Sequence, residues 1–195
     1  MKKRDPFFAL ALLFTSVAYA ATVENTCTPQ AVVALESQAA QGDSRAQYRL
    51  GTQLEMGECG TRDPQRANSL LQQSAAKNFP PAVHILGVIL RHNGKDAEAL
   101  KYFEKSAELG YQHGFADMGF TYGLRDSPVR DAVLSYAWLT LAIARETKTP
   151  LREYLASSRA KLESGMSTSD LNKAKAVSAE LAAKFSSVPV WADNQ

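Results

Sequence analysis

Ala46-Gln47-Tyr48-Arg49-Leu50-Gly51 comes back twice in this 195-residue chain. Ala82-Val83-His84-Ile85-Leu86-Gly87 repeats its Ala-x-x-x-Leu-Gly form, and Gly114-Phe115-Ala116-Asp117-Met118-Gly119 repeats it with Gly for Ala and Met for Leu. The glycines step by 36 and then 32 residues, a period at which sequences encode helical solenoids. A second marker travels along: Ala67…Ser74-Ala75 recurs as Ala99…Ser106-Ala107 and, more loosely, as Ser135…Ala142-Ile143, stepping by 32 and 36. The middle unit is four residues shorter in its internal turn and otherwise keeps register.

Outward from these markers the chain divides into short helices. Thr28-Pro29, Asp63-Pro64, Ser127-Pro128 and Thr149-Pro150 each place an N-capping side chain before a proline that suits the first helical position. Gly42, Gly57, Gly60, Gly94, Gly110 and Gly123 fall between apolar-periodic segments, where helices stop. The predicted helices run over 29–40, 44–56, 64–77, 81–92, 96–109, 112–123, 128–146, 150–164 and 168–185, the last opened by the capping pair Ser167 and Asp170. No segment alternates like a strand, so the fold class is all-α. Ala46, Leu50, Gly51 and Leu54 share one helix face. Their small members let a second helix approach, one carrying Ala67, Leu70, Leu71, Ser74 and Ala75. Ala99, Tyr102, Phe103, Ser106 and Ala107 take those places in the next unit. One helix pair cannot bury both its faces, so the pairs must stack as an α/α solenoid of antiparallel hairpins.

The ends of the chain bear on where it works. Lys2, Lys3 and Arg4, the apolar run from Phe7 to Val17, and Ala18-Tyr19-Ala20 have the form of a cleaved signal peptide, with cleavage expected after Ala20. The run is too short for a membrane span, and the mature chain has no long apolar stretch. The predicted organisation is a signal peptide at 1–20, a lead-in at 21–28, the helical domain at 29–185 and a tail at 186–195. The surplus of two positive charges disappears with Lys2, Lys3, Arg4 and Asp5. A neutral mature surface gives no reason to expect nucleic acid or anionic membrane as a partner. Cys27 and Cys59 both fall in the exported part, where an oxidising compartment lets thiols pair.

These markers resemble the Sel-one-like repeat family, solenoids related to tetratricopeptide repeats. Its pattern A-x-x-x-L-G-x-x-Y-x-x-G, a turn, then A-x-x-W/Y-x-x-A-A is followed by Ala46…Leu50-Gly51…Leu54…Gly57 and Ala67…Ala75-Ala76. The segment from Asp131 to Ala142 looks like the last repeat of exported bacterial members, and Leu162…Met166-Ser167…Ala174 like their closing helix pair. The resemblance covers about residues 39 to 185, with units near 44–77, 81–109 and 112–146 and a closing pair at 150–185. It departs at the shortened turn His92-Asn93-Gly94 and at Gly114. It implies a superhelical scaffold that binds protein, with no cofactor and no catalytic residue; together with the expected signal peptide, the location expected is a bacterial periplasm. It does not identify the partner. Since Cys27 precedes one predicted helix and Cys59 follows the next, antiparallel packing puts them side by side. A bridge is expected there; two free thiols are the alternative.

Sharper chemistry has few supports. Ser74-Ala75-Ala76-Lys77 and Ser158…Lys161 have the S-x-x-K form of serine acyl-enzymes, and Ser169-Asp170-Leu171 and Lys148-Thr149-Pro150 resemble parts of its companion motifs. Some cysteine-rich relatives of the family are linked to penicillin binding. The alternative function is therefore a hydrolase of cell-wall or β-lactam substrates. Against it, Ser74 recurs as Ser106, as a packing residue would. His84, His92 and His113 lack the spacing of a metal site and are expected on the surface. Tyr102, Phe103, Tyr136 and Trp138 are expected in the core. In such solenoids the first helices line the concave face, so the candidate protein-binding residues are Tyr48, Thr52, Glu55, His84, Val88, Arg91 and Phe120. Val188-Pro189-Val190-Trp191 is an extended tail that either docks onto the last helix pair or stays disordered.

Overall fold

A computed structural model describes residues 27–191. The segment expected to be cleaved, most of the lead-in and residues 192–195 lie outside the described residues. Within them the chain is helical throughout: α1 (Pro29–Ala40), α2 (Ser44–Met56), α3 (Pro64–Ala76), α4 (Pro80–His92), α5 (Asp96–Glu108), α6 (Gln112–Gly123), α7 (Ala132–Arg145), α8 (Thr149–Glu163) and α9 (Thr168–Lys184). Successive helices pack side by side from α1 to α8, and α9 returns to lie against α7.

Local chemistry sets these boundaries. Thr28 caps α1 by accepting from the Ala31 N–H at 3.2 Å, and Asp63 caps α3 from Arg66 N–H at 3.0 Å. Gly57 ends α2 in the left-handed conformation, φ 72°, which glycine adopts without steric cost. Ser127-Pro128, expected to open a helix, instead forms a turn in which the Ser127 hydroxyl accepts from Val129 N–H at 3.3 Å. The helix begins four residues later because Asp131 is the better cap. Its carboxylate accepts from Leu134 N–H at 3.0 Å, while its own N–H is taken by Tyr122 O at 2.9 Å. Thr149 likewise is the first helical residue of α8 rather than its cap, which is Lys148.

The recurring glycines mark the hairpin seams. A Cβ on Gly51 would lie 2.8 Å from Leu71 Cγ, one on Gly87 would lie 2.7 Å from Phe103 Cε1, and one on Gly119 would lie 2.8 Å from Leu139 Cγ. Leu71, Phe103 and Leu139 are the large residues of the three second helices, and all are buried. The buried serines of these helices bind backbone: Ser74 Oγ–H donates to Ser44 O at 2.7 Å and Ser135 Oγ–H to Gly119 O at 2.8 Å. The junction between the second and third hairpins is tighter. A Cβ on Gly114 would lie 2.6 Å from Phe103 O and 2.9 Å from Ala107 N, so α6 runs directly against the α5 backbone. Glycine in place of the usual alanine follows from that contact. Replacing Gly51 by leucine should cost about 1–3 kcal/mol through overpacking and lower Tm by several degrees. An unchanged melting curve would contradict the seam.

The core thickens toward the C-terminus. Leu35, Ala39, Ala46 and Leu50 fill the α1–α2 end, and Leu71, Ala75, Ala82, Val83 and Leu86 the α3–α4 step. A larger cluster joins Phe103, Phe115, Trp138, Leu139 and Leu155 from four helices with Phe185, the C-cap of α9. Tyr136, Trp138 and Phe103 are buried as expected and Tyr102 is half-buried against the α3–α4 cluster. At the N-terminal end Cys27 and Cys59 are joined in a disulfide with Cα atoms 5.1 Å apart.

Candidate functional site

The seven candidate residues on α2, α4 and α6 separate into three groups. Thr52 and Val88 serve packing: Thr52 is buried and its hydroxyl donates to Arg49 O at 2.9 Å, and Val88 packs on the large core. Glu55 and Phe120 are engaged at the edges, Glu55 in an ion pair with Arg62 and Phe120 with its ring 5.7 Å from Tyr154 on α8. Tyr48, His84 and Arg91 are brought into one continuous strip by residues outside that candidate set. The Tyr48 ring lies 5.5 Å from Phe79, over which the Arg45 guanidinium sits at 5.9 Å. The Trp191 ring meets Phe79 at 5.8 Å and Tyr111 at 5.5 Å. Tyr111 lies 5.1 Å from His84 and 5.0 Å from His113. The strip thus crosses three consecutive repeats.

At its far end Asp117 binds two partners from the preceding repeat. His84 Nε2–H donates to Oδ2 at 2.5 Å and Arg91 Nη1–H to Oδ1 at 2.5 Å, and all three side chains are at most 15 % exposed. The Arg91 guanidinium also stacks 5.1 Å over Phe103. Burial alone would push the Asp117 carboxyl up; the Arg91 charge and the His84 hydrogen bond outweigh it and hold the group far below the usual carboxylate range. Burial, reinforced by His84, lowers His113, with Asp117 and Glu146 opposing weakly and Lys148 adding a small push downward. His84 is therefore not the surface histidine expected from its spacing. It is 6 % exposed, and Asp117, one repeat further on, accounts for its burial.

His113 makes the fold sensitive to acid. Its folded pKa lies below its unfolded value near 6.5. Its contribution to stability is thus complete above that pH and declines below it, as the unfolded chain takes up a proton that the folded chain resists. Between pH 7 and 5 the urea midpoint should fall, with a slope of up to about 1.4 kcal/mol per pH unit from this group. His113→Gln should flatten the profile; an equal slope in wild type and variant would contradict the assignment.

The nucleophile-like motifs are spent on structure. Ser74 is fully buried and donates to Ser44 O, while Lys77 Nζ donates to Gly42 O. Ser158 Oγ–H is bound to Tyr154 O at 2.9 Å within its own helix. Among the described residues, no group of three or more His, Cys, Asp and Glu side chains is placed to hold a metal ion, and no helix is long and apolar enough to cross a membrane. The tail docks, but its end lies on the α5–α6 turn rather than on the last helix pair: Trp191 N–H donates to Gly110 O at 2.9 Å, and its ring meets Phe79 and Tyr111 from the N-caps of α4 and α6.

Hairpins of alternating first and second helices, stacked through glycine seams, define the class: an α/α solenoid that presents an extended surface. The Sel1 repeat model matches residues 44–79, 84–111 and 116–146, one match for each of the pairs α2–α3, α4–α5 and α6–α7. The chain belongs to the Sel1 repeat proteins, as the residue pattern implied. Among solved structures it is similar to a Sel1 repeat protein from Oxalobacter formigenes, with 25% identity, a TM-score of 0.54, and coverage of 64% of this chain and 98% of that one. It also matches a protective antigen of uropathogenic Escherichia coli strains displaying an SLR fold. There the identity is 18% and the TM-score 0.40, over 84% of this chain and 52% of the other. No curated protein matches the chain.

Proposed function

We propose that the protein is an exported scaffold, resident in a bacterial periplasm, that binds another protein on the concave face formed by its first helices. The observation that carries this is the continuous strip from Tyr48 through Phe79 and Tyr111 to the Asp117–Arg91 pair. It combines partly exposed aromatic rings with oriented charges, the composition of protein-binding hot spots. Family membership supports the same role, since Sel1 repeats are generally interaction scaffolds. We assign the chain no catalytic step and no cofactor. The domain limits follow the same frame: residues 1–20 are removed on export, and residues 29–185 form the repeat domain. The Cys27–Cys59 bridge fits an oxidising compartment.

The test is chemical crosslinking and capture from the native periplasm with the full mature chain, beside a Tyr48→Ala variant, which leaves the buried Arg91–Asp117 pair intact. A defined protein captured by wild type and lost with the variant is the expected result. Absence of any crosslinked protein at every salt concentration would sink the scaffold assignment. Mass spectrometry of the recovered chain should place its first residue at Ala21; a retained leader would contradict export with cleavage.

A further inference from the structure

The chain does not leave the molecule after α9. Phe185 is buried, its ring 5.1 Å from Phe115 and 5.6 Å from Trp138. Arg145 on α7 then binds the following backbone, donating from Nη1 to Phe185 O at 3.1 Å and from Nη2 to Val188 O at 2.6 Å. Past Pro189 the backbone crosses the α5–α6 turn against Gly110. A Cβ there would lie 3.1 Å from Trp191 N and nearer still to Pro189 O, so the passage needs a glycine. Trp191 closes it, with its N–H on Gly110 O and its ring between Phe79 and Tyr111.

The two flanking rings are equivalent in the repeat. Phe79 is the N-cap of α4 and Tyr111 the N-cap of α6, and neither caps its helix by side chain. The corresponding Asp43 caps α2, accepting from Ala46 N–H at 2.6 Å. Two repeats have thus given up a capping interaction, typically about 1 kcal/mol each, for an aromatic ring at the same place. The product is a slot between neighbouring repeats with a backbone carbonyl on its edge. A main-chain hydrogen bond beside a side-chain pocket is how extended peptides are recognised.

We infer that the slot between Phe79 and Tyr111 is a binding site for an extended segment of a partner protein, one presenting an aromatic side chain two residues after a proline. The chain's own Val188–Trp191 segment occupies it as a competing intramolecular ligand. This rests on the scaffold function proposed above and names its ligand class. A tethered ligand acts at an effective concentration in the millimolar range, so only a partner with higher affinity, or one present when the tail is held elsewhere, gains entry.

The probe is a fluorescein-labelled, amidated peptide with the sequence of residues 186–191, titrated by fluorescence anisotropy into the full mature chain. Trp191→Ala should empty the slot without unfolding the protein, because Trp191 is partly exposed and makes its contacts from the tail; an α-helical melting curve that stays cooperative, with Tm lowered by only a few degrees, checks this. The Trp191→Ala chain should bind the peptide at least about tenfold more tightly than wild type, and a peptide with alanine for its tryptophan should not bind. Equal affinity for both chains would overturn the competition, and no saturable binding to the variant would overturn the slot. A wild-type dimer that Trp191→Ala abolishes would overturn the inference in favour of tail exchange between copies. Failure here with a crosslinked partner still captured would remove the slot and leave the scaffold assignment. Peptide binding with no partner captured would do the reverse.

Discussion

Asp117→Ala is expected to destabilise the fold by roughly 3 kcal/mol, the low end for breaking a buried ion pair by removing one partner. The reason is what stays behind. Arg91 and His84 are about 11 % and 8 % exposed, and neither can regain full hydration without repacking the α4–α6 contact. The carboxylate's own desolvation cost is recovered in the variant, which is why the upper end of the range is not expected. Asp117→Asn should fall between, because an amide oxygen still accepts one hydrogen bond while the guanidinium loses its counter-charge. Urea unfolding at neutral pH measures all three chains. A loss under about 1 kcal/mol would mean that Arg91 finds water or the Phe103 face sufficient. The pair also reports on assembly of the array, since it joins two consecutive repeats rather than two parts of one.

Opening the Cys27–Cys59 bridge should have an effect of similar size by a different route. The disulfide closes a loop with a sequence separation of 32, which in the chain-entropy account stabilises the fold by about 3–4 kcal/mol through the unfolded state. The α1–α2 end needs it most. Its core is confined to a few residues, four of them buried, and Val33 on α1 is 65 % exposed. Cys27→Ser/Cys59→Ser should lower the urea midpoint, and hydrogen exchange should show α1 losing protection first. A count of two free thiols on denatured, unreduced mature protein would show that no bridge exists. A midpoint unchanged by reductant would show that α1 is held by packing alone.

The fold was legible because its constraint is local and recurrent. Gly51, Gly87 and Gly119 are where a second helix presses against the first, and the same steric need, met three times, prints itself on the chain at a fixed period. Ser127-Pro128 misled because the dipeptide suits a turn as well as a helix start, and the choice depended on Asp131 and its contact with Tyr122 O. The strip was half legible. Tyr48, His84 and Arg91 could be placed on first helices by spacing alone, but their neighbours could not. Asp117 lies 33 residues from His84 and 26 from Arg91, separations that become contacts only once the repeats are stacked. Phe79 and Tyr111 did carry a signal: both stand where a capping residue belongs, as Asp43 does in the first repeat. Comparing caps across repeats, rather than helix interiors, would have found them.

In an array whose units touch only their neighbours, terminal units can fray while the middle stays folded. The returning tail changes that balance here. Trp191 bonds to Gly110, and Lys184 reaches Glu104 at 2.8 Å across 80 residues of sequence, so the last segment of the described chain is tied to the middle unit. Loss of the C-terminal helices therefore strips contacts from the central repeats as well, and unfolding from that end becomes a concerted event. The same tie sets an order on biogenesis. Until Trp191 is in place, the middle repeats lack these contacts and the rings of Phe79 and Tyr111 have no third ring between them.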